Sequence, residues 1–236
     1  MQKPKSIIVT DQEIDLSPIS PRAWEYIENL GQAIAARYTS LGKSRAVFAL
    51  AGPAGVGKSV LSALLAQLFA QSNNHFQFIN VGIDAYHFPQ ETLFRWGLDD
   101  HKGRYDTYDI ENLRADLVAF KNGDRVNFPR YSRKLHNPVP QCLPTASDSA
   151  LLWLEGQWLL YKEGEWAELM SLYDYTYFIN TSEAAIAAHV IARHVTGGKS
   201  RERAQSFYTN SDEPNIKLVL EKSLPANENL PFWETL

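Results

Sequence analysis

The chain has 236 residues, 44% of them hydrophobic and 21% charged, with a formal net charge of −4. This length and apolar content suffice for one α/β domain with a full core and exclude wholesale disorder. The mild negative charge offers no footprint for a polyanion, so nucleic acid is not expected as a partner. A single cysteine, Cys142, rules out an internal disulfide framework and suits a reducing cytosol. No apolar stretch follows the amino-terminal lysines and no eighteen consecutive apolar residues occur, so the expectation is a cytoplasmic protein without a membrane span.

Residues 1–20 carry Pro4, Pro18 and many polar groups without strong periodicity, and read as a loosely attached leader to a single domain over 21–236. From Pro21, the residues Trp24, Ile27, Leu30, Ile34 and Tyr38 recur at spacings of three and four, which predicts a helix with one apolar face. The run 46–51 (AVFALA) is short and continuously apolar, as a parallel strand buried on both faces requires. A glycine-rich turn follows, then a helical stretch over 60–69. Further strands are expected at 76–83, 151–154 and 175–180, the first followed by Asp84 and the second by Glu155. Between them, residues 88–148 form an insertion with one helix at 110–120, capped by Asp109, and a remainder whose prolines forbid a continuous helix. Insertions of that length are usually functional. A helical and then basic segment lies between Glu183 and Arg203, its residues 193–203 surrounding the pair Gly197-Gly198.

The residues Gly52, Pro53, Ala54, Gly55, Val56, Gly57, Lys58 and Ser59, with Val60 next, match the phosphate-binding pattern of glycine, four free positions, glycine, lysine and serine or threonine. Glycines let successive backbone N–H groups converge on phosphate oxygens. Lys58 supplies a point charge to the β and γ phosphates, and Ser59 a hydroxyl to Mg²⁺. The helix opening at Lys58 turns its positive end toward the same anion. Chance alone would give such a match in a chain this long roughly once in a hundred. The preceding strand and following helix supply the context a true ATP site demands. Asp84 and Glu155, each at the carboxyl end of a strand, would face the terminal phosphate, one as base for a hydroxyl acceptor and the other beside the metal.

Four segments carry a family likeness: Gly52 to Ser59, Gly82-Ile83-Asp84-Ala85-Tyr86-His87, Tyr131-Ser132-Arg133 with the prolines after it, and Leu154-Glu155-Gly156. Together they resemble the P-loop kinases that include uridine kinase, phosphoribulokinase and bacterial-type pantothenate kinase, and within them the branch called nucleoside kinase-like or fructose-transport kinase-like. The likeness runs from about residue 46 to 220. It implies a P-loop NTPase three-layer αβα sandwich with a mainly parallel sheet, ATP and Mg²⁺ as cofactors, a small hydroxyl substrate and a homodimer. It also implies that Asp84 is the catalytic base, that Glu155 assists magnesium and substrate, and that 193–203 is a mobile lid. The chain departs from the family in having Ala85 where glycine is common and Ser132 where aspartate is common, which removes an acid from the acceptor region.

Arg193, Lys199, Arg201 and Arg203 are candidates for neutralising charge on the transferred group, Arg193 first because it ends the helical pattern. Tyr131, Arg133 and His87 are candidate substrate contacts, and Lys102, Tyr105 and Asp109 resemble a family segment near the acceptor. No His and Cys cluster suggests zinc. A GTPase switch would need an Asn-Lys-x-Asp segment, which is not found. The remaining alternative to a kinase transferring phosphate to a sugar, nucleoside or pantothenate-like hydroxyl is a P-loop NTPase acting as a regulatory or assembly switch without an acceptor.

Overall fold

The computed structural model describes residues 3–233. In chain order the elements are β1 (Ser6–Val9), β2 (Gln12–Asp15), α1 (Pro21–Ser40), β3 (Arg45–Ala51), α2 (Lys58–Gln71), β4 (Gln77–Gly82), α3 (Gln90–Trp96) and α4 (Ile110–Lys121). They continue with β5 (Asn127–Ser132), β6 (Asn137–Pro144), β7 (Ala150–Glu155), α5 (Gly164–Leu169), β8 (Tyr175–Ile179), α6 (Glu183–Thr196), α7 (Arg201–Phe207), α8 (Glu213–Lys222) and β9 (Glu228–Leu230). A 3₁₀ turn, Ile83–Tyr86, follows β4, and a π-helical segment, Tyr208–Asp212, joins α7 to α8.

Five strands form one wholly parallel sheet in the order β4-β7-β3-β8-β9. All seven residues of β3 are buried, and its period of two sends alternate side chains to opposite faces. Ala46, Phe48 and Leu50 join a core with α1 and α2, whereas Val47, Ala49 and Ala51 join a second core with α4 and α5. β7 divides likewise, Leu151 and Trp153 to one face and Leu152 and Leu154 to the other. This is the three-layer αβα sandwich expected, and a continuous apolar run is its sequence signature. Trp153 is fully buried, and its indole N–H donates to Ser62 Oγ at 2.9 Å, so burial leaves no orphan donor. Truncating such a residue to alanine costs about 3–5 kcal/mol.

The sheet register fixes the site. Leu50 and Gly82 both stand opposite Glu155, so β3, β7 and β4 end level with one another. The glycine-rich turn, Glu155 and Asp84 therefore emerge along one edge. Asp109 caps α4 as expected, accepting from Asn112 N–H at 3.0 Å.

Two segments differ from the sequence reading. Residues 1–20, read as a loosely attached leader, contain the β1–β2 hairpin, and Val9, Leu16 and Ile19 are buried. Four-residue strands are too short to display a period. Within 88–148, the proline-rich part is an antiparallel hairpin, β5–β6, with a bulge between Phe128 and Arg130. Prolines are tolerated there because the hairpin stands apart from the main sheet and its outer edges need no ladder donors.

Candidate active site

The loop between β3 and α2 is shaped by glycines in left-handed backbone. Gly57 takes φ 77° at the residue that opens α2, and Gly55 takes φ 81° with α6 pressed against it. A Cβ on Gly55 would lie 2.3 Å from Val190 Cγ2, so only glycine lets this helix cover the loop. Pro53 and Val56 are buried beneath the loop, while Ala54 and Val60 pack partly against the core below it.

Lys58 is 8% exposed, and its ammonium donates to the Pro53 carbonyl at 2.8 Å. Burial pushes its pKa down to about 8, opposed by Glu155 and Asp84 and reinforced by Arg193. Ser59 Oγ donates to Glu155 Oε1 at 2.7 Å. Burial raises the Glu155 carboxyl and Asp84 adds to this, while Lys58, Ser59 and Arg133 oppose it. Gly82 leaves room for that carboxylate, since a Cβ there would lie 3.0 Å from Glu155 Oε1.

Asp84 sits in the 3₁₀ turn after β4 with its side chain 54% exposed. It is the electrostatic hub: its charge acts on Lys58, His87, Lys102, Tyr108, Tyr131, Glu155 and Arg193. His87, buried, donates from Nδ1 to the Asp84 carbonyl at 3.1 Å and stacks on Tyr108 with centroids 3.9 Å apart. Tyr131, on β5, lies 6.0 Å from the His87 ring, and burial together with Asp84 pushes its hydroxyl up to about 12.

Arg133, just past β5, donates to Gln12 Oε1 at 2.8 Å and exerts its charge on Glu155 and Arg193. Arg193 follows Val190 by one helical step of three, which puts it on the face of α6 turned to the loop, within electrostatic range of Lys58 and Asp84. The phosphate loop, Asp84, His87, Tyr131, Arg133, Glu155 and Arg193 thus lie at this end of the sheet. Lys199 lies over the Phe207 ring at 4.9 Å, away from this group, and Arg201 opens α7. Tyr108, stacked on His87, Gln157, whose side chain acts on Tyr108, and Asp212, whose charge acts on Arg193, escaped sequence reading. Tyr108 precedes a helix cap and Gln157 follows Glu155 by two, and neither position carries a periodic or motif signal.

The donor set can be tested against magnesium. Ser59 and Glu155 present hard oxygen atoms side by side, with Asp84 on the adjoining turn. Magnesium takes few protein ligands and keeps water and phosphate oxygens for the rest. The fit is therefore good, and among the described residues no group of three or more His, Cys, Asp or Glu competes as a metal cage.

A phosphate loop at the edge of a parallel sheet, flanked by two strand-end carboxylates, defines a P-loop kinase. The model of the phosphoribulokinase / uridine kinase family matches residues 47–220, and the chain belongs to that family. It is 32% identical over 207 residues to the uncharacterized protein YggC of Escherichia coli K12, covering 86% of each chain. Over 112 residues it is 32% identical to a pantothenate kinase of Streptococcus agalactiae serotype III, spanning 47% of this chain but 36% of that enzyme. The fold of a proposed fructose transport system kinase from Silicibacter sp. TM1040 superposes with a TM-score of 0.74 at 25% identity, covering 84% of this chain and 98% of that one. No helix among the described residues is long and apolar enough to cross a membrane.

Proposed function

We propose that this chain transfers the γ-phosphoryl group of ATP to a hydroxyl of a small metabolite, with Asp84 as the base. The observation that carries the reading is the meeting of Lys58, Ser59, Glu155 and Asp84 at one sheet edge, with Asp84 the most accessible of the four to an incoming acceptor. Lys58 and the N–H groups of the loop hold the β and γ phosphates. Ser59 and Glu155 would hold a magnesium ion, which would supply charge neutralisation to those oxygens. Asp84 orients the acceptor hydroxyl and takes its proton as the new O–P bond forms and the bond to the ADP oxygen breaks. Arg193, on the helix that covers the loop, balances charge on the phosphoryl in flight, and residues 193–203 close over it as a lid. His87, Tyr131 and Arg133 contact the acceptor. A lone cysteine and an ATP-dependent reaction support a cytoplasmic location, and a homodimer is retained from the family likeness.

The test is ADP release from MgATP with and without a panel of sugars, nucleosides, hydroxy acids and pantothenate. Release that depends on an acceptor is expected. ATP turnover of the same rate with every acceptor omitted would instead mark a switch.

A further inference from the structure

The acceptor side of the site holds an ammonium whose partners are all neutral. Lys102 lies between α3 and α4 and donates to Gln90 Oε1 at 3.1 Å and to the His136 carbonyl at 2.5 Å. Its Nζ also stands 5.5 Å above the Tyr131 ring. An ammonium has three donors, and two are used. Lys102 is partly buried and, among the described residues, makes no ion pair with a carboxylate; Asp84 acts on it only from beyond contact. A partly desolvated charge without a counter-charge is costly, and burial accordingly pulls its pKa down.

Beside it stands a second open group. His87 is 6% exposed, and among the described residues its Nε2 has no hydrogen-bond partner. Because Nδ1 faces a carbonyl oxygen, which can only accept, Nδ1 carries the proton and Nε2 the lone pair. Burial lowers the His87 pKa and keeps it neutral. The wall made by His87, Tyr131 and Lys102 thus offers an acceptor for a hydroxyl and a donor for an anion, close to the carboxylate of Asp84.

We propose that the acceptor is a polyhydroxy anion: one hydroxyl on Asp84, a second donating to His87 Nε2, and a carboxylate or phosphate group on Lys102. This rests on the kinase reading for its reaction but not for its binding. A neutral sugar or nucleoside would fill the same space and leave Lys102 without a counter-charge.

The test uses matched pairs that differ in charge: glycerate and glycerol, pantothenate and pantothenol, fructose 6-phosphate and fructose. Binding is measured by calorimetry in the presence of Mg²⁺ and a non-hydrolysable ATP analogue, and turnover by ADP release. In at least one pair the anionic member is expected to bind and react at least tenfold better than its neutral partner, and the carboxylate and phosphate pairs distinguish the two anions. Lys102→Met should raise the KM of that acceptor at least tenfold with the KM of ATP within twofold, and Lys102→Arg should recover most of the loss. A merely structural Lys102 would instead lower thermal stability and leave the preference within each pair unchanged. Neutral members used as well as anionic ones, or no anion of the panel bound by the wild type, would overturn the proposal. Anion binding that is lost in Lys102→Met without any ADP release in the wild type would uphold the site and sink the kinase reading.

Discussion

Ser59 Oγ and Glu155 Oε1 lie 2.7 Å apart, a hydrogen bond that ties the first turn of α2 to the end of β7. Both groups are suited to a hydrated magnesium ion. The Glu155 carboxyl is raised, first by burial and then by Asp84, against the pull of Lys58 and Ser59. An acid raised in the folded state binds its proton more tightly there than in the unfolded chain. Stability therefore falls as pH rises from the unfolded value to the folded one, and the cost persists above it. Glu155→Gln removes that cost and keeps an oxygen for Ser59. The metal-free, nucleotide-free variant is expected to melt roughly 1–4 °C higher than wild type at pH 7.5. Its turnover should fall by about 100-fold or more as charge opposite the metal is lost. A lower melting temperature with activity intact would assign Glu155 to the scaffold instead.

Lys58 makes a second prediction through its proton. Its pKa of about 8 in the free protein reflects burial against neutral loop atoms. A phosphate arriving at the ammonium favours the charged form and raises that pKa again. ATP binding is therefore linked to proton uptake at and above pH 8. The dissociation constant of the Mg²⁺ complex of ATP is expected to weaken by up to about tenfold per pH unit between pH 8 and 9.5. Lys58→Met should bind more weakly and with a flat profile over that range. Calorimetry in two buffers of different ionisation enthalpy reads the proton directly, and an absence of uptake in wild type would refute the linkage.

The residues of the fold and the site differ in how openly they declare themselves in the sequence. The sheet was legible because strands buried on both faces must be continuously apolar, as residues 46–51 and 151–154 are. The phosphate loop was legible because its glycines have no substitute, Gly55 lying under Val190 being the clearest case. Asp84 and Glu155 followed from their places at strand ends. What sequence could not show was side-chain convergence across elements. Tyr108 reaches His87 from an insertion, and Gln12 reaches Arg133 from 121 residues away. The β5–β6 hairpin was hidden by its own prolines, which usually argue against strands and here lie in a two-stranded hairpin apart from the main sheet.

Asp84 and Arg193 separate chemistry from binding. Asp84 is half exposed, and among the described residues its carboxylate accepts no hydrogen bond from the loop that holds ATP. Asp84→Asn is therefore expected to leave ATP affinity within about threefold and to lower turnover by roughly 10²–10⁴. Arg193→Ala should reduce kcat more than ATP affinity, because its helix touches the loop through Val190 while its own charge is felt at Lys58. Single-turnover rates with saturating ATP decide both. An Asp84→Asn enzyme at wild-type rate removes the proposed base, and equal losses of kcat and ATP affinity in Arg193→Ala remove the lid role.

The amino-terminal hairpin lies outside residues 47–220 and still reaches the site. Its turn places Thr10 and Asp11 at φ 44° and 68°, both left-handed, a conformation that suits a two-residue hairpin turn and that aspartate tolerates. Asp11 then accepts from Arg130 Nη1 at 2.9 Å, and its carboxyl is held below the usual range, chiefly by the Ser132 hydroxyl and then by Arg130. Gln12 holds Arg133 at 2.8 Å. Arg130, Ser132 and Arg133, on either side of Tyr131, are thus braced from one turn, and Tyr131 and Arg133 are among the proposed acceptor contacts. Gln12→Ala is expected to raise the KM of the best acceptor by roughly three- to tenfold, since small misplacements of contact groups are expensive. The KM of ATP should stay within twofold, because Lys58 is held by the Pro53 carbonyl of its own loop. Gln12→Glu, which keeps an oxygen for the guanidinium, should restore the wild-type value. Steady-state kinetics with each substrate varied in turn read the split, and a Gln12→Ala enzyme with both constants unchanged would show that Arg133 holds its place without the hairpin.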